Sequence, residues 1–398
     1  MKKNSSALYS GYIIDGAKMD QTPARMLNEC MTPGTEQYPD CCPGQTGNMI
    51  IDESTDPVPG SCRPDSLRIP EYMEQLSVLR TSFRRFKAGD PAFLTRLRIA
   101  SAIIDSLWSD GHFRLDNLRL SLGWQWDGKA IGSMAAFYAS AEAAAGYIYD
   151  LGATLEEYSY TEIQEEEPVP AGNILNVSVT GTDSDRTGQA GTGIREEDEA
   201  DIPARDSEDI WLSDRRKCPD KAVETARSIL LYIPFDTCAH RLGSSLLEQI
   251  TGTTGDISPE IRDPDYFIDC HEVVRELVED GIIMSAETIS DGGLLTAAYR
   301  LCRETGATID VSGVISSYME NDIVKILFSE VPGALVQISE NDSDYVDAQL
   351  LLQDIAYYPV GTPGRADGKV EVVNGTRSGV AGILASLLNG QDFPEGED

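Results

Sequence analysis

From residue 228 onward, short apolar strands alternate regularly with amphipathic helices, and this alternation constrains the fold of the chain more than any other feature. Buried-strand patterns such as SILLYIPF, GIIMSA and ALVQIS are each followed by a segment with apolar residues at helical spacing. Strands and helices that interleave in this way bury their apolar faces by layering helices on a sheet. The predicted fold class is therefore α+β, with a layered C-terminal α/β domain.

A second group of predicted elements precedes this region. Apolar residues on one helical face predict helices over 91–108 and 133–151, and alternation predicts strands over 118–124 and 174–181. Earlier residues are rich in Pro, Gly, Asn, Asp and Ser without long apolar periodicity, whereas the stretch after 181 is acidic and almost free of apolar residues. The predicted organisation is an irregular N-terminal arm at 1–85, a first domain at 86–181, an acidic linker or insertion at 182–217, a second domain at 218–390 and an acidic tail at 391–398.

The charge balance excludes some classes of partner. Sixty-six acidic residues against 32 Lys and Arg give a formal net charge of −34. A surface of this sign repels phosphate backbones and anionic lipid, so neither nucleic acid nor a membrane is predicted as a partner. No stretch approaches the roughly 20 apolar residues of a membrane span, and no apolar signal region follows the N-terminal lysines. The expected location is cytoplasmic.

Motifs for nucleophilic or metal chemistry are missing from the sequence. Of the eight cysteines, four fall in the first 62 residues without the paired spacing or nearby histidine of zinc sites, which leaves their role open. These four are Cys30, Cys41, Cys42 and Cys62. The three histidines, His112, His240 and His271, are predicted to be surface or hydrogen-bonded structural residues. No catalytic residue and no metal site is predicted.

The segment ISDGGLL carries the strongest signal for ligand binding. Ser290 and Asp291 precede a predicted helix that starts at Gly292 and Gly293. A glycine pair at a helix N-terminus lets backbone N–H groups approach an anion closely, and the helix dipole adds attraction. These four residues are therefore the candidate nucleotide- or phosphate-binding site. Ser290 or Asp291 could instead simply cap the helix, which is the commoner role for such residues.

Within about residues 228–365, the segments RLGSSLLEQI, EDGIIMSAETISDGGLL, ILFSEVPGALVQI and YYPVGT follow one another. In their residues and their order, these segments resemble phosphoribosylformylglycinamidine synthase and its relatives in the AIR synthase superfamily. LRLSLGW and the helix at 135–152 resemble the segment just upstream in the long form of the enzyme. The resemblance implies an α+β fold: a PurM-like C-terminal α/β layered domain preceded by a partial PurM N-terminal-like domain.

The same resemblance implies a function and also departures from it. The family amidates formylglycinamide ribonucleotide with ATP and ammonia from glutamine, which implies ATP or ADP with Mg²⁺ as cofactor. It also implies a homodimer or pairing with a related chain. However, Glu287 and Thr288 stand where the family has His and Asp, Arg300 stands where it has Glu, and Ser244 replaces a glycine of its GGS segment. EEYSY replaces the family's Gly-Lys-Asp-Ser motif, so its lysine is missing.

These departures predict a catalytically diminished relative that binds a nucleotide or phosphorylated metabolite, because phosphoryl transfer depends on positioned cations and metal ligands. One alternative is an ATP-dependent ligase component that works with separately encoded subunits. Another is a non-enzymatic structural or interaction protein that uses its N-terminal arm to bind another chain.

Overall fold

The structure is a computed structural model that describes twelve segments of the chain. These are residues 6–37, 49–51, 85–86, 90–109, 113–129, 132–163, 173–181, 218–224, 227–251, 257–261, 263–365 and 367–373. The predicted linker at 182–217 and tail at 391–398 lie outside them, as do Cys41, Cys42, Cys62 and His112. None of the helices within the described segments has the length and apolar content needed to cross a bilayer.

The start of the chain forms α1 (Ser6–Tyr9), β1 (Tyr12–Ile14), β2 (Ala17–Lys18) and α2 (Pro23–Asn28), and β3 (Met49–Ile51) pairs with β1. The prediction of an irregular arm is therefore wrong for residues 6–37. Thr22 caps α2, Leu27 is fully buried, and the Leu155 N–H donates to the Cys30 carbonyl oxygen at 2.9 Å. These elements are too short to show a hydrophobic periodicity in the sequence. They are held instead by packing against residues that come later in the chain.

The next unit is a sheet covered by two helices. Its elements are β4 (Arg85–Phe86), α3 (Pro91–Ser109), β5 (Leu118–Trp126), α4 (Ser133–Asp150), β6 (Thr154–Glu162) and β7 (Asn173–Gly181). The strand order is β4–β7–β5–β6. The two predicted helices and the two predicted strands are confirmed. Strand β6 has no regular alternation of apolar and polar residues, so its sequence does not predict a strand. Its pairing with β5 shifts register after Leu120, and the buried residues are therefore Leu155 before the shift and Tyr158 and Tyr160 after it.

The C-terminal unit is a six-stranded sheet with helices on both faces, which confirms the α+β class. Its strands are β8 (Ser228–Pro234), β9 (Ile283–Ile289), β10 (Ala307–Asp310), β11 (Gly333–Ser339), β12 (Tyr358–Pro363) and β13 (Val370–Val373). Its helices are α5 (Leu246–Thr251), α6 (Pro264–Glu279), α7 (Gly293–Leu301), α8 (Ser312–Tyr318), α9 (Ile323–Phe328) and α10 (Ser343–Leu352). The strand order is β13–β10–β12–β8–β11–β9.

Successive residues of β8 point to opposite faces of this sheet and enter different cores. Leu231 and Ile233 pack in the cluster that also contains the apolar residues of α3, α4 and α6. Leu230 and Tyr232 pack on the other face with α7 and α9. The first cluster runs through both units: α3 packs on one face of the C-terminal sheet against β9 and β11, and α4 packs against α6. The predicted domain boundaries themselves stay a prediction.

Candidate functional site

The turn between β9 and α7 contains the four predicted site residues and requires its two glycines. Gly292 and Gly293 have φ values of +81° and +69°, a region that favours glycine. A Cβ atom on Gly293 would lie 2.7 Å from the Leu327 carbonyl oxygen and 2.7 Å from Phe328 Cα. The glycine pair therefore allows the start of α7 to pack directly on the end of α9.

Internal hydrogen bonds take up the amide groups that were predicted to contact an anion. The Gly292 N–H donates to Oε1 of Glu330 at 2.9 Å, and the Gly293 N–H donates to the Ser290 carbonyl oxygen at 3.0 Å. Glu330 is completely buried, and the same oxygen accepts from the Leu246 N–H at the start of α5. The alternative, in which the side chain of Ser290 or Asp291 caps the helix, is wrong, since Gly292 occupies the N-cap position without a side-chain cap. Instead, the side-chain carboxyl of Glu330 accepts the hydrogen bond from the backbone N–H of the N-cap residue, Gly292.

Asp291 joins the turn to the first unit through an ion pair. Its Oδ2 lies 3.0 Å from Nη1 of Arg98 on α3, and the two side chains are 8% and 22% exposed. Three residues earlier, within β9, the Thr288 hydroxyl accepts from Nε1 of Trp108 at 3.0 Å and donates to Asp105 at 3.3 Å. Helix α3 therefore supplies a cation and two further polar groups to the end of β9. Sequence reasoning missed Arg98 because only the tertiary fold brings α3 to this turn.

The residues that depart from the family pattern contact one another. Oε1 of Glu287 lies 3.6 Å from Nη1 of Arg300, and both side chains are mostly buried. The resemblance places His at the first of these positions and Glu at the second. The two substituted residues therefore form an ion pair between β9 and α7, so the two departures from the family pattern are coupled to each other.

The two described histidines differ in environment. Nε2 of His240 lies 3.2 Å from the Tyr232 hydroxyl, and burial lowers the pKa of His240 to about 4. His271 is fully buried, and within the described segments neither ring nitrogen has a hydrogen-bond partner. Burial lowers its pKa to about 3. The prediction of a hydrogen-bonded structural role is confirmed for His240 and wrong for His271, which lies within the apolar stripe of α6.

The described cysteines are free thiols. Cys30, from the N-terminal group, is buried and donates from Sγ to the Ala145 carbonyl oxygen at 3.1 Å. Burial raises the pKa of this thiol to about 11, so it stays protonated at neutral pH. The described segments contain no group of three or more His, Cys, Asp or Glu side chains placed to hold a metal ion.

Comparison with known proteins agrees with this fold. Residues 237–372 match the family described as AIR synthase related protein, C-terminal domain. The probable chloroplastic/mitochondrial phosphoribosylformylglycinamidine synthase of Arabidopsis thaliana is 24% identical over 278 residues, which are 68% of this chain and 17% of that protein. The Homo sapiens synthase is 24% identical over 260 residues, or 64% of this chain and 17% of that protein.

A solved structure shows the same fold. T. maritima PurL, in a complex with FGAR, superposes with a TM-score of 0.51 at 16% identity over 76% of this chain and 44% of that one. The chain thus spans less than a fifth of the curated synthases that it matches. Since the matched segment contains β9, α7 and Glu330, the candidate site lies inside the shared domain. Residues 237–372 thus match an AIR synthase-related C-terminal domain, and about two thirds of the chain is similar, at 24% identity, to phosphoribosylformylglycinamidine synthases.

Proposed function

We propose that this chain is a catalytically diminished relative of the synthase that binds a nucleotide or phosphorylated metabolite at the β9–α7 turn. The proposed site consists of Ser290, Asp291, Gly292 and Gly293, with Arg98 as the cation beside them. The observation that carries the proposal is the Arg98–Asp291 ion pair, which places a guanidinium at a turn of the shared domain. Arg binds phosphate through paired N–H donors and is the usual residue for this recognition.

The loss of catalysis is supported by what the altered residues do. Glu287 and Arg300 pair with each other, and Thr288 bonds to Trp108 and Asp105. Groups engaged in this way stabilise the contact between α3, β9 and α7, and a threonine hydroxyl is a far weaker general base than His or Asp. Their structural use supports a scaffold that keeps the family's packing without its chemistry.

The proposed ligand is anionic and competes with Asp291 for Arg98. The amides of Gly292 and Gly293 are engaged internally, so recognition rests on the guanidinium and the Ser290 hydroxyl rather than on a helix N-terminus. ATP or ADP is the nucleotide that the resemblance implies, and the FGAR seen in the PurL complex is the phosphorylated metabolite to test. Mg²⁺ is assigned no protein ligand here and would enter with the nucleotide phosphates.

Calorimetric titration of the full chain with ADP, ATP and formylglycinamide ribonucleotide, each with and without Mg²⁺, tests this proposal directly. We expect at least one of these ligands to bind. If none binds, and Mg²⁺ rescues none, the ligand part of the proposal is wrong. A synthase-deficient strain complemented by this chain would contradict the loss of catalysis and favour the ligase alternative.

Matched variants locate the site. Asp291→Asn removes the competing carboxylate and should tighten anion binding several-fold, whereas Arg98→Met should abolish it. The exposed Arg25 in α2 serves as the control, since Arg25→Met removes the same charge far from the turn. Equal losses in the two arginine variants would show a nonspecific charge effect and rule out this site.

Two further predictions accompany this proposal. The chain pairs with a second copy of itself or with a related chain, and it is located in the cytoplasm. Light scattering of the full chain gives the mass in solution and checks the first. A monomer at all accessible concentrations would remove self-pairing.

A further inference from the structure

A cavity lies away from the β9–α7 turn, where α3 and α4 meet the segment leading into α6. Its volume is about 340 Å³, at the small end of the roughly 300–1,000 Å³ range of ligand sites. Ala92 on α3 and Ala139 and Ala143 on α4 form apolar walls. Gly146 faces open space, since a Cβ atom there would have no neighbour within 4 Å. The helices leave this space because their facing residues are small.

A buried phenol in the wall has an unmet hydrogen-bonding capacity. Tyr147 lines the cavity and is 4% exposed, and within the described segments its hydroxyl has no hydrogen-bond partner. Burial, and then the Asp236 carboxylate, hold the pKa of Tyr147 well above its usual range, so the hydroxyl stays protonated and can donate. An unsatisfied buried hydroxyl costs stability, and such groups in native proteins usually have a partner such as water or a ligand.

Charges of both signs line the same cavity without pairing. Arg96 contributes a guanidinium whose Nη1 donates to the Ile261 carbonyl oxygen at 3.0 Å. Glu142 and Asp150 contribute carboxylates from the exposed side of α4. In the part of the chain that the structure describes, no ion pair joins Arg96 to either of them. Two separated, opposite charges on one small cavity are complementary to a molecule that carries both.

We propose that this cavity binds a small zwitterion, with its ammonium group at Glu142 and Asp150 and its carboxylate at Arg96 and Tyr147. The chemical class is a free amino acid or ω-amino acid with a short apolar body. The alanine walls and the open side of Gly146 accommodate that body. The site is separate from the proposed phosphate site, so the failure of one proposal leaves the other intact.

Calorimetric titration with ligands matched in length tests the charge requirement. The probes are 4-aminobutyrate, butylamine and butyrate, followed by ω-amino acids from glycine to 6-aminohexanoate. We expect one zwitterion length to bind with a Kd on the order of a millimolar or tighter, at least about tenfold better than either singly charged analogue. No binding at about ten times that concentration, or equal binding of all three four-carbon probes, overturns the proposal.

Two glycine variants test the location. Gly146→Leu fills the cavity mouth and should weaken binding by about tenfold or more, and leucine favours the helical conformation of α4 more than glycine does. Gly313→Leu is the matched control, because Gly313 lies in α8 and a Cβ atom there also meets open space. Unchanged binding in the first variant, or equal losses in both, contradicts the assigned cavity.

Tyr147→Phe separates a ligand role from a packing defect. Removal of the unpartnered hydroxyl should raise the thermal stability of the ligand-free protein. The substitution should also lower the affinity for the zwitterion by about fivefold, which is the effect of one lost hydrogen bond. Higher stability with unchanged affinity would show that the phenol is only a structural defect and would remove it from the site.

Discussion

The two faces of the six-stranded sheet differ in how closely they are packed and in how fully their buried polar atoms are hydrogen-bonded. On the face that carries α5, α7 and α9, Gly293 allows backbone contact with Leu327 and Phe328, and Glu330 satisfies two buried amides. On the face shared with α3, α4 and α6, His271 and Tyr147 hold buried polar atoms with no partner among the described residues. The family motifs lie on the first face. Among the described residues, the first face also leaves Nδ1 of His240 without a partner, but close packing is kept where the motifs lie, whereas both ring nitrogens of His271 and the Tyr147 hydroxyl lack partners on the second face.

The difference indicates which positions tolerate change. A site defined by backbone contact and a buried carboxylate has few alternative sequences, because each replacement leaves a clash or an unmet hydrogen bond. The interface between units is formed by side chains that can be replaced singly. Substitutions on the first face should therefore destabilise the protein, and some on the second should stabilise it.

The largest effect is expected for Gly293→Ala. A methyl group would lie 2.7 Å from backbone atoms, at a φ of +69°. The combined cost should be roughly 3 kcal/mol or more. Urea denaturation followed by circular dichroism measures it. Gly313→Ala, in an exposed helical position, should instead stabilise by about 0.5–1 kcal/mol. A cost below about 1 kcal/mol at Gly293 would contradict the close packing of α7 on α9.

Glu330 should rank second. Glu330→Ala leaves the amides of Gly292 and Leu246 buried without their acceptor, and the expected loss is about 3 kcal/mol. Glu330→Gln keeps a carbonyl oxygen in place and should lose clearly less. Chemical denaturation of the two variants beside Glu304→Ala, an exposed acidic position, provides the comparison. Identical losses for Ala and Gln would mean that the carboxyl oxygen does not support these amides.

On the opposite face, His271→Leu should stabilise by about 1–2 kcal/mol at neutral pH, because it removes buried polar atoms that lack partners. The difference in the free energy of unfolding between His271→Leu and the wild type should increase as the pH is lowered. The pKa of His271 is about 3 in the folded protein against about 6.5 unfolded, so the unfolded chain takes up the proton first. The wild type therefore loses stability as pH falls from 6.5 towards 3, by up to about 1.4 kcal/mol per pH unit.

Denaturation midpoints at pH 7, 6, 5 and 4 for the wild type and His271→Leu test this dependence. The other titrating groups are common to both proteins, so the difference isolates the histidine. His240→Leu serves as a partial control, since His240 has the Tyr232 hydroxyl as a partner and a folded pKa of about 4. A difference independent of pH would show that His271 does not titrate between the folded and unfolded states as proposed.

The smallest effect is expected for the Glu287–Arg300 pair. Its separation of 3.6 Å and partial exposure predict a coupling of about 0.5–1 kcal/mol. A double-mutant cycle with Glu287→Gln and Arg300→Gln measures the coupling in low salt, and added salt should reduce it. A coupling near zero would show that the two departures from the family pattern are independent losses.

Much of the fold was predictable because its signals are local. The apolar stripe of α3, the alternation in β5 and the strand patterns of β8, β9 and β11 each arise within one element. The short elements at residues 6–37 and strand β6 were not predictable. The former are held by packing on α4, and the latter has a register shift that breaks its alternation. At the candidate site, the sequence predicted a binding role for Ser290 to Gly293, and this stays a prediction, but it could not show that Glu330 accepts from the Gly292 amide.

The sequence by itself determined the class of fold, the order of its main elements, the family resemblance and the need for two glycines before α7. Those properties follow from hydrophobic period and backbone conformational preference, which act over a few residues. Only the tertiary structure decided that Glu330 accepts from the amides of the turn, that Arg98 pairs with Asp291, and that His271 is buried with no hydrogen-bond partner among the described residues. These contacts join residues distant in sequence, and the desolvation that sets their energies exists only once the chain is folded.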